Sequence, residues 1–235
     1  MAAKTIHLEL DKRLPVGSGL GSSSSSIVAA LVALNLYYKE PFDKKQLLML
    51  AGQLEGSISG ADHFDNVAPC LLGALQLMGS KPGECMRLEP PQHWQYVICY
   101  PGIRITTHES RGVLPTSIQL SKAVDWNLRL ANFVLALTQN QNDETLKPLL
   151  VDEWIAPHRK HLIPHYDEMQ ERMTKAGVLA FGIAGAGPSM LAICQDSNLA
   201  EKAKAIFESR YSHNPNSFTH TCLADTLGAR RFERS

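Results

Sequence analysis

An α+β fold in two lobes is what the sequence predicts, and three observations predict it. Short apolar runs bounded by Gly and Pro, the pattern of strands and hairpin turns, alternate with segments whose apolar residues recur at helical spacing. Two long stretches, residues 27–38 and 117–139, each carry one continuous apolar helical face. The Pro90-Pro91 pair breaks the chain between them, so the expected lobes are residues 1–90 and 91–235.

Residues 5–10 alternate, with Ile6, Leu8 and Leu10 apolar and His7 and Glu9 polar, which predicts a half-buried strand. Its pairing partner must come later in the chain or be absent. A polar connection over 11–13 leads into a Gly/Ser loop. Ile27, Leu31, Leu34 and Tyr38 then trace a helical face. Val28, Ala29, Ala30, Val32 and Ala33 fill the other faces, so this helix is expected to be buried on most sides. Pro41 ends it, and Asp43 caps a second helix over 44–54 with Leu47, Leu48, Leu50 and Leu54 inward. Residues 72–78 and 86–88 read as strands joined by Gly79-Ser80-Lys81-Pro82-Gly83. An apolar strand over 95–100 ends at Pro101-Gly102, and residues 106–111 open a short helix closed by Pro115. The long helix over 117–139 places Leu120, Val124, Leu128, Ala131 and Leu135 on one face. Helices follow at 143–151, 165–175 and 200–210. Strands follow at 178–183, 189–194 and 218–223, with Ala184-Gly185-Ala186-Gly187-Pro188 as a tight loop.

Bulk properties exclude some functions. There are 23 basic and 23 acidic residues, so no net charge draws the chain to nucleic acid or to a membrane surface. Five cysteines, an odd number without a C-x-x-C pair, fit reduced thiols in a cytoplasmic protein. No stretch is long and apolar enough to span a membrane. His158, His161 and His165 have a broken spacing and no acidic or thiol partner nearby, so they read as solvated side chains and not as a zinc site.

Chemistry concentrates in Pro15-Val16-Gly17-Ser18-Gly19-Leu20-Gly21-Ser22-Ser23-Ser24-Ser25-Ser26, directly before an apolar-periodic segment. Glycines allow left-handed turns and close approach of a ligand to the main chain. A helix opening here would aim free N–H groups and a positive dipole end at an anion. The plain alternative is a flexible linker, but such linkers do not usually run straight into an amphipathic helix. The loop is neither Walker A, since Gly21 is followed by Ser22 and not Lys, nor the dinucleotide fingerprint, which needs Gly at position 22. A second polar segment, residues 55–69, holds Glu55, Asp62, His63, Asp65 and Asn66 between Gly56, Gly60 and Pro69. These residue types also form turns and caps, so spacing alone leaves a site and a surface loop both open.

The motif Pro-x-Gly-Ser-Gly-Leu-Gly-Ser-Ser resembles the signature loop of the GHMP kinases, the family of galactokinase, homoserine kinase, mevalonate kinase and phosphomevalonate kinase. Within it the chain is most similar to the homoserine kinase branch. That likeness rests on Leu54-Glu55-Gly56, Ser59-Gly60, His63-x-Asp65-Asn66-Val67-Ala68-Pro69-Cys70, Tyr100-Pro101-Gly102-Ile103, Glu109-x-Arg111-x-x-Leu114-Pro115, Arg159-x-x-Leu162-Ile163-Pro164 and Gly182-x-x-Gly185-x-Gly187-Pro188.

The resemblance implies a first lobe of the ribosomal protein S5 domain 2-like type, truncated, and a ferredoxin-like second lobe. It implies transfer of the ATP γ-phosphoryl group to the hydroxyl of L-homoserine in threonine biosynthesis. Pro15, Val16, Gly17, Ser18, Gly19, Leu20, Gly21, Ser22, Ser23, Ser24 and Ser25 would wrap the ATP phosphates. Ser22 and Glu55 would hold Mg2+, as hard oxygen donors suit that ion. His63, Asp65, Arg111 and Arg159 would line the amino-acid pocket, the acid taking the ammonium and the arginines the carboxylate. Thr107 would sit near the reacting hydroxyl, and Gly185 and Gly187 would let the third loop pack on the phosphate loop. A homodimer is the assembly the resemblance suggests.

Without the resemblance, Arg111 reads as a helix-surface charge, Arg159 beside Lys160 as an exposed basic turn and His63 as a core histidine. Two departures stand out. The branch carries a substantial N-terminal segment before the strand that leads into the phosphate loop, and this chain begins at that strand. A misplaced start or fragment and a shortened protein are the two explanations, and the rival functions are another GHMP small-molecule kinase and a non-catalytic remnant. The third motif usually reads Gly-x-Ser-Gly-Ser-Gly-Pro, and here Ala184 and Ala186 replace the serines.

Overall fold

The structure is a computed structural model and describes residues 5–59 and 63–232. The elements in chain order are α1 (Ser22–Tyr37), α2 (Lys44–Ser59), α3 (Val67–Leu72), β1 (Leu75–Met78), β2 (Cys85–Leu88), β3 (Gln95–Tyr100), α4 (Thr107–Gly112), α5 (Leu120–Thr138), α6 (Asp143–Leu146), α7 (Ala156–Arg159), α8 (Tyr166–Ala176), β4 (Ala180–Ile183), β5 (Met190–Cys194), α9 (Ser197–Tyr211) and β6 (Phe218–Cys222). They sort into two compact units. One holds the described residues of Met1–Pro15, Gly21–Arg87 and Thr226–Ser235, the other Val16–Leu20 and Leu88–Asp225.

In the first unit α1, α2 and α3 pack around Val28, Leu47, Leu48, Phe64, Val67 and Leu71. α1 stops where Lys39 and Glu40 turn left-handed ahead of Pro41, and the Asn35 side chain exchanges hydrogen bonds with the Phe42 backbone (3.0 and 3.1 Å). α2 opens with a reciprocal cap: Gln46 N donates to Asp43 Oδ1 (2.8 Å) and Asp43 N to Gln46 Oε1 (2.9 Å). β1 and β2 form a two-stranded hairpin. The chain's last segment returns to this unit, where Ala229 N donates to Cys70 O (3.0 Å).

Several expectations change here. Residues 5–10 are not a strand: no described strand pairs with them, and Leu8 and Leu10 are 50% and 53% exposed. Alternation marks what a strand could bury, but pairing makes the strand. α1 begins at Ser22, five residues before the apolar pattern, and buries Ser22, Ser24, Val28 and Asn35 while Ala29 and Ala33 are exposed. Alanine favours helix without needing a core, so it misleads a burial reading. α2 extends to Ser59 and exposes Leu54. α3 takes Leu72, expected to open a strand, and the left-handed Gly73 and Ala74 separate it from β1.

In the second unit β3 lies between β5 and β6 and β4 flanks β5, giving the order β4-β5-β3-β6 with the pairs antiparallel. The register sets Val97 opposite Ala192 on one side and Thr221 on the other. That order, with α8 and α9 as the crossovers, is ferredoxin-like. Val97, Cys99, Met169, Met173, Met190 and Phe207 form its buried core. Asp196 caps α9 by accepting from Leu199 N (2.8 Å).

The apolar face predicted for α5 points outward: Leu120 is 80% and Leu128 57% exposed, and Val124, Ala131 and Leu135 are exposed as well. α5 packs on α6 and buries Ala136 and Leu137. Trp126 meets Trp154 edge-on (centroids 5.5 Å), and Arg129 donates to Val151 O (2.8 Å). All five cysteines are free thiols, and burial pushes Cys99 up to about 12 and Cys194 to about 11. No helix among the described residues is long and apolar enough to cross a membrane.

Candidate phosphate site

Three alternate residues of the Gly/Ser loop are left-handed: φ is 73° at Gly17, 79° at Gly19 and 68° at Gly21. Left-handed turns of this kind gather successive backbone N–H groups into an anion-binding concavity. α1 follows directly. Its N-cap is Gly21, which offers no side-chain cap, and the first intrahelical bond is Ser25 N to Gly21 O. The N–H groups of the first turn are therefore available to a ligand, and the helix dipole favours an anion there.

Within the second unit the Val16–Leu20 loop lies against the 184–187 loop, main chain to main chain. A Cβ on Gly19 would fall 2.5 Å from Ala184 O and 2.6 Å from Gly187 O, and one on Gly185 would fall 2.7 Å from Gly19 O. No side chain fits at either position. Ser189 N donates to Ser18 O (3.1 Å), and the Ser18 side chain, fully buried, accepts from Leu20 N (3.4 Å).

Two further residues fasten the 184–187 loop. Ser110, buried on α4, donates to Ala186 O (2.7 Å). Arg159, at the end of α7, donates through Nε to Ser110 O (3.1 Å) and through Nη1 to Gly185 O (3.2 Å). Asp152 sets α7, accepting from the backbone N–H groups of Trp154, Ile155 and Ala156 at 3.1, 2.7 and 3.0 Å. Burial holds the Arg159 guanidinium below its ordinary value, nearby Asp152 acts the other way, and Arg111 adds repulsion. Arg111 and Arg159 are thus close enough to feel each other. α4 opens on a capping box: Glu109 N donates to Thr106 Oγ1 (3.1 Å) and Thr106 N to a Glu109 carboxylate oxygen (2.7 Å). Thr107 and Arg111 are exposed on that helix.

In the first unit Ser22 is buried at the start of α1 and its hydroxyl donates to Leu14 O (3.0 Å), which leaves its oxygen lone pairs for a metal. Glu55 is half-buried on α2. A hydroxyl and a carboxylate, both hard oxygen donors, fit Mg2+, which takes one or two protein ligands beside phosphates and water. His63, half-buried, and Asp65, exposed, precede α3, and Asn66 Nδ2 donates to Asp65 (3.4 Å). A Cβ on Gly21 would lie 3.6 Å from Asn66 Oδ1, which puts Asn66 beside the N-cap of α1. Gly60 and Asp62 of the polar segment lie outside the described residues. Asn66 belongs to the polar segment singled out from the sequence, whereas Ser110 was not; a lone serine inside a short helix carries no signal.

Left-handed glycines at alternate positions and a helix N-terminus without a side-chain cap are features suited to binding an anion such as phosphate. Residues 1–74 match the family model described as the GHMP kinases N terminal domain, and residues 133–213 match GHMP kinases C terminal. The homoserine kinase of Cytophaga hutchinsonii is similar at 30% identity and a TM-score of 0.87, over 92% of this chain and 69% of that one. A candidate homoserine kinase of Listeria monocytogenes (21%, TM-score 0.70, 94% and 72% covered) shares the fold. So does the L. major mevalonate kinase solved with R-mevalonate (14%, 0.65, 87% and 66%). The chain belongs to the GHMP kinase family, whose members are ATP-dependent small-molecule kinases.

Proposed function

We propose that the chain is a homoserine kinase, transferring the γ-phosphoryl group of ATP to the side-chain hydroxyl of L-homoserine to give O-phospho-L-homoserine and ADP. The observation that carries this is the 30% identity to the Cytophaga hutchinsonii homoserine kinase over 92% of the chain. The acid and arginine set supports it, because an amino-acid acceptor needs both signs of charge. In this reading residues 1–90 form the ATP-binding lobe and 91–235 the second lobe. The backbone from Pro15 to Ser25 holds the phosphates. Ser22 and Glu55 hold Mg2+, which when bound neutralises phosphate charge. Asp65 and His63 receive the ammonium end of the acceptor. Arg111 grips its carboxylate, Arg159 contributes charge while it fastens the third loop, and Thr107 orients the hydroxyl. The reaction is driven by positioning and charge neutralisation: the P–O bond to ADP breaks as the bond to the acceptor oxygen forms, and the hydroxyl proton is released to solvent.

A cytoplasmic setting and a homodimer complete the proposal. The five free thiols support the first. The exposed stripe of α5 supports the second. Leu120, Val124, Leu128, Ala131 and Leu135 fall within an arc of about 80°, flanked by the neutral Ser121, Asn127 and Asn132. A two-fold contact sets each residue's surroundings against their own copy, so an uncharged face is the kind that can meet itself without repulsion. The test of function is a coupled ADP-release assay with L-homoserine and with mevalonate. The proposal expects turnover with L-homoserine alone. Equal turnover with both, or none from folded protein, would overturn it.

A further inference from the structure

Arg104 lies on the segment between β3 and α4, outside every motif singled out from the sequence. Its side chain rests on the first glycine of the phosphate loop. A Cβ at Gly17 would fall 2.8 Å from Arg104 Cγ and 3.1 Å from Nε. Gly17 thus leaves the space that the arginine stem occupies, besides adopting φ 73°. The residue is exposed, and no hydrogen bond or ion pair among the described residues ties its guanidinium down. The acid near it, Glu109, is turned to the cap, where one carboxylate oxygen accepts from both Thr106 N and Thr106 Oγ1 at 2.7 Å.

The loop it rests on lacks a cation. Residues 15–26 contain no Lys, Arg or His, and the 184–187 loop carries alanines where serine hydroxyls would add donors. Backbone N–H groups alone would then meet a highly charged phosphate chain. We propose that Arg104 is a phosphate-binding residue of the nucleotide site, its guanidinium supplying the charge that the loop omits. This rests on the reading of the loop as the ATP site. An arginine with free donors beside a backbone anion cradle is suited to phosphate oxygens, to which it can bind with two parallel N–H groups.

The test is fluorescence titration of a methylanthraniloyl-ATP probe into the full chain and into Arg104→Ala, Arg104→Lys and Arg104→Glu, with adenosine as a competitor that lacks phosphate. Arg104→Ala should weaken ATP binding about tenfold or more, Arg104→Lys should recover part of the loss and Arg104→Glu should weaken it further. Affinity for adenosine and the thermal midpoint without nucleotide should stay unchanged. The wild-type affinity should fall more steeply with added KCl than that of Arg104→Ala. ATP binding by Arg104→Ala within twofold of wild type, or an equal loss for adenosine, would overturn the role of Arg104 while leaving the ATP site intact. Failure of the wild-type chain to bind the probe would overturn the ATP reading itself.

Discussion

The two units treat apolar sequence differently. In the second, β3 is flanked on both sides, α8 and α9 cover one face, and Val97, Met169, Met190 and Phe207 are fully buried. In the first, an equally regular alternation over residues 5–10 buries almost nothing. A period of two is a capacity for strand formation, realised only when another strand meets it. The same holds for α5, whose stripe predicts the helix correctly yet is left exposed.

The sharpest way to break this contrast is to cut into the second unit's core. Phe207→Ala should cost about 3–5 kcal/mol in urea unfolding, the range for deleting a fully buried ring. A loss under about 1 kcal/mol would mean the sheet and α9 are not a packed core.

Next in size is Gly19→Ala. It combines left-handed strain with a clash against the carbonyls of Ala184 and Gly187, and should cost about 2–4 kcal/mol. Nucleotide affinity should drop about a hundredfold. Retained affinity would show that the close approach of the two loops is dispensable.

Leu128→Asp should act on association and not on folding. Sedimentation of the wild-type chain should show a dimer and the variant a monomer with the same unfolding midpoint. A wild-type monomer would assign the stripe no self-contact.

Alkaline pH should produce a smaller effect. The Cys99 thiol is raised from its ordinary 9.0 to about 12. Its contribution to stability is whole below about pH 9 and is lost as pH rises through the folded value, because only the unfolded chain sheds the proton in that window. Urea midpoints between pH 8 and 11 should fall more steeply for wild type than for Cys99→Ala. Parallel slopes would rule the thiol out.

The smallest effect should come from Leu10→Ser, within about 0.5 kcal/mol, since the side chain is half-exposed. A loss of 2 kcal/mol would show residues 5–10 to be packed after all.

Much of this was legible from residue order. β3 and the hairpin turn at 79–83 have local signatures, as do the Asp43 cap and the opening of α4 ahead of Glu109. The glycine loop was legible because left-handed turns demand glycine. The clamp of Ser110 and Arg159 on the 184–187 loop was not. It joins residues 26 and 76 positions apart through backbone carbonyls, which carry no mark in the sequence. Arg104 escaped for the same reason, since its contact is with a glycine that lacks a side chain to betray it.

The most direct measurement is ADP release by the full chain with ATP, Mg2+ and L-homoserine, with mevalonate as the comparison acceptor. Homoserine kinase activity predicts steady ADP release that depends on L-homoserine and leaves O-phospho-L-homoserine as product. Folded chain that binds ATP but releases ADP no faster with L-homoserine than with mevalonate or with neither would contradict it.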